Sequence, residues 1–184
     1  MVPEPRNQPT GISVVTVRPE TPADFDQVRT VNKSAFEGGP EAELVDSLRA
    51  SCPDHLSLVA EKQGRVIGHI LFTPVIIENP LGGVEGMGLA PMAVLPDCQR
   101  SGVGSLLVRR GLVLLRNRSC PFVIVLGHPK YYPRFGFERA SSYGLRSQWE
   151  GVPDEAFMVN VFGHGVLPEG GGIARYRDEF DAAM

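Results

Sequence analysis

Apolar residues recur at helical spacing in three segments of the chain, and this periodicity predicts three helices with one buried face each. The segments are residues 21–36, 41–50 and 102–117. Thr21 supplies an N-cap for the first helix, because its hydroxyl accepts a bond from an unpaired backbone N–H, and Pro22 suits the first helical position. A fourth, shorter helical turn is expected at residues 131–135, where Gly136 ends it.

Shorter runs of β-branched and other apolar residues lie between these segments and predict strands. Residues 63–65, Gln-Gly-Arg, separate two of the runs in a way that is typical of a hairpin. The alternation of strands and helices predicts an α/β sandwich with a mixed sheet. The predicted strands are residues 12–17, 56–62, 66–75, 87–95, 122–126, 143–147 and 156–162.

The composition is that of one ordinary globular domain, since 42% of the 184 residues are hydrophobic and 21% are charged. A chain of this size buries roughly 70% of its unfolded surface, so a single core stabilises it without a metal or a disulfide framework. Residues 1–11 contain three prolines and little to bury, and we expect them to form a disordered tail. Residues 12–184 are expected to form the single domain.

Charge and hydropathy exclude several classes of partner. The net charge is -3, which offers no broad cationic surface for nucleic acid or an anionic membrane. The longest apolar run, residues 68–77, is too short to span a bilayer, and the first ten residues lack the apolar segment of a signal peptide. We therefore expect a cytoplasmic protein without a nucleic-acid or membrane partner.

The cysteines and histidines do not form a metal-binding pattern. Cys52, Cys98 and Cys120 are far apart, form no C-x-x-C pair and do not cluster with the four histidines. A structural zinc site and a secreted disulfide scaffold are both disfavoured, and no metal is predicted.

The most informative stretch is residues 92–105, which predicts a strand, a short turn and the start of a helix. Gly102 and Gly104 have no side chains to block a ligand, so backbone N–H groups of residues 99–105 can converge before the helix and bind phosphate. Arg100 would add a charge-assisted contact. A simpler interpretation, in which the two glycines only permit a tight turn, fits the same residues. Dinucleotide-binding and NTPase glycine motifs do not fit, because Leu107 replaces the third glycine of the former and Gly-Lys-Ser/Thr is absent.

Two motifs resemble the hallmarks of the GNAT superfamily of acetyl-CoA-dependent N-acyltransferases. Gln-Arg-x-Gly-x-Gly at residues 99–104, after an apolar strand, resembles the pyrophosphate-binding motif of that superfamily. Tyr-Tyr-Pro-Arg-Phe-Gly-Phe at residues 131–137 resembles its second hallmark, a tyrosine four residues before Gly-Phe. The resemblance covers about residues 13–162, and residues 127–137 look most like a bacterial subgroup of N-acetyltransferases.

This resemblance implies an α/β fold, called α+β in some schemes, with a mixed, mostly antiparallel sheet of about six to seven strands and about four helices. Strands 4 and 5, here residues 87–95 and 122–126, would splay into a V that holds the pantetheine arm of acetyl-CoA. Backbone groups of Met92, Ala93 and Val94 would bond the arm. The loop that would grip the pyrophosphate comprises Gln99, Arg100, Ser101, Gly102, Val103, Gly104 and Ser105.

The resemblance also implies catalytic roles. Tyr132 would donate a proton to the departing thiolate, with Tyr131 as the rival donor, and a phenol with a pKa of about 10 suits that task. Glu85 and His128 are the two candidates for the general base, although a solvated loop carboxylate and a structural histidine are the simpler interpretations of these residues.

The expected reaction is direct attack of a primary amine on acetyl-CoA in a ternary complex. The alternative is a non-catalytic module that binds acyl-CoA as a sensor or a partner-binding protein. By the same resemblance, residues 36–40 and 141–154 would form the acceptor site, and exchange or pairing of the last strands would allow a homodimer. The sequence does not identify the acceptor.

Overall fold

The computed structural model describes residues 14–36 and 40–181, and within them nine strands form one mixed sheet with three α-helices. The predicted tail at residues 1–11 lies outside the described residues. The helices are α1 (Phe25–Ala35), α2 (Glu41–Ser51) and α3 (Val103–Asn117). The strands are β1 (Thr16–Pro19), β2 (Leu56–Lys62), β3 (Arg65–Glu78), β4 (Val84–Val94), β5 (Phe122–Leu126), β6 (Glu138–Arg139), β7 (Leu145–Ser147), β8 (Phe157–Val161) and β9 (Gly172–Arg175).

The sheet is mostly antiparallel, with the strand order β1-β2-β3-β4-β5-β8-β6. Only β4–β5 and β7–β9 pair in parallel among the described strands. Strand β3 is long enough to pair with β2 near its start and with β9 near its end, so β9 prolongs the same side of β3 beyond β2. The predicted fold class, a mixed and mostly antiparallel sheet with helices, is therefore confirmed.

The details differ from the prediction in ways that short elements explain. The sheet has nine strands instead of six or seven, because β6 and β9 are only two and four residues long and carry no apolar alternation. The helical turn expected at residues 131–135 is a 3₁₀ turn, Tyr132–Phe135, which leaves three α-helices among the described residues instead of about four. Strand β1 begins at Thr16, later than predicted, and β4 begins at Val84, three residues earlier than predicted.

Strands β4 and β5 separate after a very short pairing, as the V-shaped splay requires. Their ladder contains only Met87 with Val123 and Gly88 with Ile124. Just beyond it, Ala90 and Pro91 of β4 together face one residue of β3, between the Leu89 and Met92 pairs. This two-against-one arrangement is a β-bulge, which bends a strand and re-aims the residues after it. The last residues of β4 therefore leave β5 and open a cleft.

Helices cover both faces of the sheet. On one face, Gly111 of α3 lies so close to the Phe72 ring that a side chain there would collide with it. On the other face, Asn32 of α1 donates through Nδ2 to Nδ1 of the buried His69 on β3 at 3.1 Å. Because Nδ1 accepts, Nε2 carries the proton and donates to Ser57 Oγ of β2 at 2.9 Å. These bonds fix α1 against the sheet beside the cleft.

The His69 cluster predicts a specific acid sensitivity. Burial lowers the pKa of His69 to about 3, well below its ordinary value of 6.5. In the unfolded chain, His69 thus binds a proton near pH 6.5, whereas in the folded chain it does so only near pH 3. The free energy of unfolding therefore decreases as the pH falls from about 6.5 to about 3. His69 alone is expected to remove about 1.4 kcal/mol of unfolding free energy per pH unit there.

Urea unfolding between pH 7 and pH 4.5 measures this effect. His69→Gln keeps one hydrogen-bond acceptor and one donor but cannot bind the proton. The slope of its unfolding free energy against pH is therefore expected to be smaller than that of the wild type by the equivalent of nearly one proton. His164→Gln changes an exposed histidine and should follow the wild type. Identical slopes for wild type and His69→Gln would contradict the assignment.

Candidate functional site

The opening between β4 and β5 is a cleft of about 690 Å³. Its floor is the bulged part of β4, one wall is the start of α3 with the segment after β5, and the other wall is the end of α1 and the start of α2. Phe180 also lines the cleft, and it lies in the 3₁₀ turn Asp178–Phe180, which contacts α2 of the second wall. The cleft therefore has a side facing α3 and a side facing α1 and α2.

The predicted phosphate loop lies on the α3 side. Arg100 has φ 59° and Gly102 has φ 92°, both in the left-handed region, and these two residues turn the chain from β4 into α3. Glycine adopts such a φ without a penalty, which explains Gly102. A helix leaves its first N–H groups without intrahelical acceptors, so the N–H groups of Val103, Gly104 and Ser105 are open to a ligand. The loop thus has the geometry of an anion site.

The structure divides the predicted cofactor-binding residues into three groups. Met92, Val94, Gln99 and Gly104 line the cleft. The side chains of Ala93 and Val103 are buried in the core, which leaves only their backbone groups for a ligand. Exposed or half-buried positions next to the cleft are occupied by Arg100, Ser101, Gly102 and Ser105.

One contact links the loop to the strand. The Gln99 side-chain amide donates to the Val94 carbonyl at 3.1 Å. This carbonyl belongs to the part of β4 that no longer pairs with β5. The Gln99 amide therefore donates to a carbonyl on an edge of β4 that has no neighbouring strand. Gln99 holds the loop against the strand at the point where the pantetheine arm was predicted to bind.

Gly104 keeps the entrance of the cleft open. A Cβ atom at this position would lie 2.8 Å from Tyr131 Oη and 3.7 Å from Met92 Sδ. The first distance is shorter than real Cβ contacts, so any side chain there would displace the tyrosine or fill the space before α3. Glycine at this position therefore leaves room for the Tyr131 hydroxyl, whereas its backbone conformation, in α3, is open to other residues.

Tyr132 is placed by its packing. The ring is only 7% exposed, lies against Gly127 and meets the rings of Tyr131 and Phe137 edge-on at centroid distances of 5.1 and 5.5 Å. Burial raises the pKa of the Tyr132 phenol far above its usual value of 10, so the phenol stays protonated at neutral pH. Tyr132 lines the cleft, and its hydroxyl makes no hydrogen bond to another described residue. The structure thus places a fixed, protonated phenol in the lining of the cleft.

Of the two candidate bases, only His128 lines this cleft. Glu85 pairs opposite Ile76 in the β3–β4 ladder and lines a separate cavity with Cys120. Because β4 begins at Val84, Glu85 lies four residues before Leu89, where the cleft starts, or roughly 13 Å along the strand. The structure therefore does not bring Glu85 to Tyr132.

The acceptor side of the cleft differs in part from the prediction. Phe36 lines it as expected, and residues 37–39 of the predicted segment lie outside the described residues. No residue of the predicted segment 141–154 lines the cleft; Trp149, for example, packs on Tyr176 at a centroid distance of 5.0 Å. Phe180 occupies the corresponding wall instead.

Sequence reasoning missed Glu41. This residue begins α2 and lines the cleft, and its Oε2 atom is buried without a hydrogen-bond partner among the described residues. In the sequence, Glu41 follows Gly-Gly-Pro and looks like an ordinary acidic residue in the first turn of a helix. Only the packing of α2 shows that its side chain faces the cleft.

The contact between Gly127 and Tyr132 yields a prediction. A methyl group at residue 127 would overlap the Tyr132 ring, which is itself held by two other aromatic rings. Gly127→Ala is therefore expected to rotate or displace the phenol and to lower any reaction that depends on it by at least about tenfold. Gly83→Ala is the control for a glycine substitution, because Gly83 is exposed, has no positive φ and would accept a Cβ atom with only ordinary contacts. Equal activity of wild type and Gly127→Ala would contradict the placement of Tyr132.

Neither a membrane-spanning helix nor a metal site is found in the part of the chain that the structure describes. No helix there is long and apolar enough to cross a membrane. Likewise, residues 14–36 and 40–181 contain no group of three or more His, Cys, Asp or Glu side chains that could hold a metal ion.

Comparisons with known proteins agree with this geometry. A family model described as an acetyltransferase (GNAT) domain matches residues 16–140. The uncharacterized N-acetyltransferase YhbS of Escherichia coli (strain K12) is 34% identical over 166 residues, which cover 90% of this chain and 98% of that protein. The uncharacterized N-acetyltransferase YjhQ of the same strain is 43% identical over 118 residues, covering 63% of this chain and 65% of that protein.

Two solved structures share the fold over nearly the full chain. A crystal structure of YhbS from Escherichia coli in complex with CoA has a TM-score of 0.85 at 31% identity and covers 95% of this chain and 96% of that one. A GNAT family acetyltransferase from Brucella melitensis in complex with acetyl-CoA has a TM-score of 0.73 at 35% identity and covers 92% and 99%.

Proposed function

The chain belongs to the GNAT acetyltransferase family, and from this premise we propose that it transfers an acetyl group from acetyl-CoA to a primary amine. One observation carries the proposal. A single cleft is bordered by an open helix N-terminus, an unpaired strand edge and a buried protonated phenol. These are the three elements that hold a CoA thioester and release its thiolate.

Two parts of the chain would hold acetyl-CoA. The open N–H groups at the start of α3, with Arg100 beside them, suit the pyrophosphate. The backbone of Met92, Ala93 and Val94, on the edge of β4 that β5 has left, suits the amides of the pantetheine arm. The CoA and acetyl-CoA in the related structures from Escherichia coli and Brucella melitensis support the same ligand here. Gln99 would have to release the Val94 carbonyl if the arm bonds that group.

The chemistry assigns one task to each group. The amine nitrogen attacks the thioester carbon, a C–N bond forms, and the oxyanion that develops is stabilised by a backbone N–H near Val94. The C–S bond then breaks, Tyr132 gives its proton to the departing thiolate, and the proton that the neutral amine nitrogen loses on becoming an amide restores the phenol. Since both substrates occupy one cleft, transfer proceeds directly in a ternary complex without an acyl-enzyme.

Initial-rate kinetics test this mechanism. Reciprocal plots at several fixed amine concentrations should intersect, because both substrates are bound before the first product leaves. Parallel lines, together with an acetylated protein detected by mass spectrometry, would instead indicate an acyl-enzyme. Acetyl-CoA at 100 times its dissociation constant should stabilise the fold by about 2.7 kcal/mol, and no shift in melting temperature with acetyl-CoA or CoA would contradict the cofactor assignment.

A further inference from the structure

Charges are segregated across the cleft. Lys130 and Arg134 line the wall near α3, where the Arg134 guanidinium lies 4.6 Å from the Tyr131 ring centroid and its Nε donates to the Tyr131 carbonyl at 2.8 Å. Glu41, on the opposite wall, is the single carboxylate among the described residues that line the cleft. The α3 wall therefore suits the anionic groups of a CoA ester, and the α2 wall suits a cation.

On the basis of the proposed function, we infer that Glu41 receives the ammonium group of the acceptor and that the acceptor is a primary amine on an apolar body. The buried Oε2 atom of Glu41 has no partner among the described residues. A buried carboxylate oxygen without a donor is costly, whereas an ammonium group brings three donors and the opposite charge. Binding of the amine would thus satisfy an oxygen atom that has no partner in the described part of the chain.

The surroundings of Glu41 define the rest of the acceptor. Phe36, Leu44 and Phe180 form the acceptor-side wall together with Glu41, and all three are apolar. That wall carries no cationic side chain among the described residues, so a carboxylate on the acceptor would face Glu41 without a counter-charge. Arylalkyl and alkyl monoamines fit this surface, and free amino acids do not.

The proton balance is compatible with a paired ammonium. The ammonium nitrogen of the acceptor must lose two protons to become an amide nitrogen. Glu41 takes the first proton, which frees the nitrogen lone pair for attack. The C–N bond forms, the C–S bond breaks with its electron pair leaving on sulfur, and the thiolate takes the Tyr132 proton. The second nitrogen proton restores the phenol, and Glu41 returns its proton to water. The sum is one amide, one free thiol and one proton.

The test measures acetyl transfer to a matched panel of acceptors. The wild type is assayed with phenethylamine and hexylamine, with phenylalanine as the analogue that adds a carboxylate, and with spermidine as a polycation. Phenethylamine is expected to have a kcat/KM at least about tenfold above that of phenylalanine, because only the latter brings a carboxylate toward Glu41.

Substitutions of Glu41 distinguish a loss of amine binding from a loss of folding or of acetyl-CoA binding. Glu41→Gln keeps the shape and removes the charge, and it should raise the KM for phenethylamine at least about tenfold while the KM for acetyl-CoA stays within about twofold. Glu41→Asp keeps the charge and should retain part of the activity. Glu43→Gln, at an exposed position of the same helix, should match the wild type. Melting temperatures of all variants, with and without CoA, report whether the fold and the cofactor site are intact.

The outcomes distinguish the two proposals. If acetyl-CoA binds but no amine accelerates thiol release, the proposed transferase function fails. If transfer occurs but Glu41→Gln leaves every amine KM unchanged, or if phenylalanine or spermidine is preferred over phenethylamine, the inference about Glu41 is overturned and the transferase function stands. A wild type that acetylates only amines outside the apolar class overturns the substrate class as well.

Discussion

Tyr132→Phe is expected to lower the turnover number at least about tenfold while the affinity for acetyl-CoA stays within about twofold, because one acid–base group contributes about 10² to 10⁴. The substitution removes only the hydroxyl. The ring, which packs on Gly127 and between the rings of Tyr131 and Phe137, keeps its contacts, so the fold and the cleft should not change. Single-turnover thiol release and a calorimetric CoA titration measure the two quantities separately.

Tyr131→Phe is the matched control for this prediction. Tyr131 also lines the cleft, but its hydroxyl lies beside Gly104 at the entrance, and its ring is covered by Arg134. We expect its loss to affect turnover less than the loss of Tyr132. Since burial raises the pKa of Tyr132 above 10, its ionisation should cause no alkaline decline in kcat below about pH 10. A Tyr132→Phe variant with the turnover number of the wild type would contradict the assignment of Tyr132 as the general acid. A turnover number that falls only in Tyr131→Phe would assign this role to Tyr131.

Gly104→Val is expected to weaken CoA binding at least about 100-fold, since two or more bonds to a charged phosphate, each worth about 1.5–3 kcal/mol, would be lost. A Cβ at residue 104 already lies too close to Tyr131 Oη, and the two methyl groups of valine would fill the space before α3. They would cover the N–H groups that we assign to the pyrophosphate. Isothermal titration with CoA measures the dissociation constant.

Leu106→Val is the control for a β-branched residue near the start of α3. Leu106 is 45% exposed and does not line the cleft, so this variant tests helix propensity without adding atoms to the site. Its dissociation constant should stay within about twofold of the wild type. A Gly104→Val protein that is folded by circular dichroism and binds CoA within fivefold of the wild type would show that the start of α3 does not hold the phosphates.

The sequence predicts those parts of the fold in which local pattern and tertiary packing agree. All three α-helices carry an apolar stripe of adequate length. Helices α2 and α3 occupy nearly the predicted residues, whereas α1 begins at Phe25, later than predicted, because Pro22–Asp24 form a 3₁₀ turn. Strand β9 and the early start of β4 were missed because residues such as Gly86 and Gly172 have low strand propensity. These residues form strands because the second half of β3 pairs with the start of β4 along one edge and with β9 along the other.

The site shows the same division. Gly104 and Tyr132 could be predicted from the sequence because each lies in a short motif whose residues are close in sequence and form one turn of the chain. Glu41 and Phe180 could not, because they approach β4 through the packing of α2 and of the last turn, and no local pattern encodes that approach. The distance of Glu85 from the cleft could not be predicted either, because it depends on where β4 begins and bends, and each residue along a strand adds about 3.3 Å.

Amine-dependent release of thiol from acetyl-CoA by the purified full-length protein is the most direct test of the central claim. We predict that free thiol appears at a rate that rises with the concentration of phenethylamine and saturates, with one N-acetylated amine, identified by mass spectrometry, for each thiol. The same rate with and without any amine, in a protein whose melting temperature rises with acetyl-CoA, would contradict the claim and indicate a domain that binds acyl-CoA without transferring the acyl group.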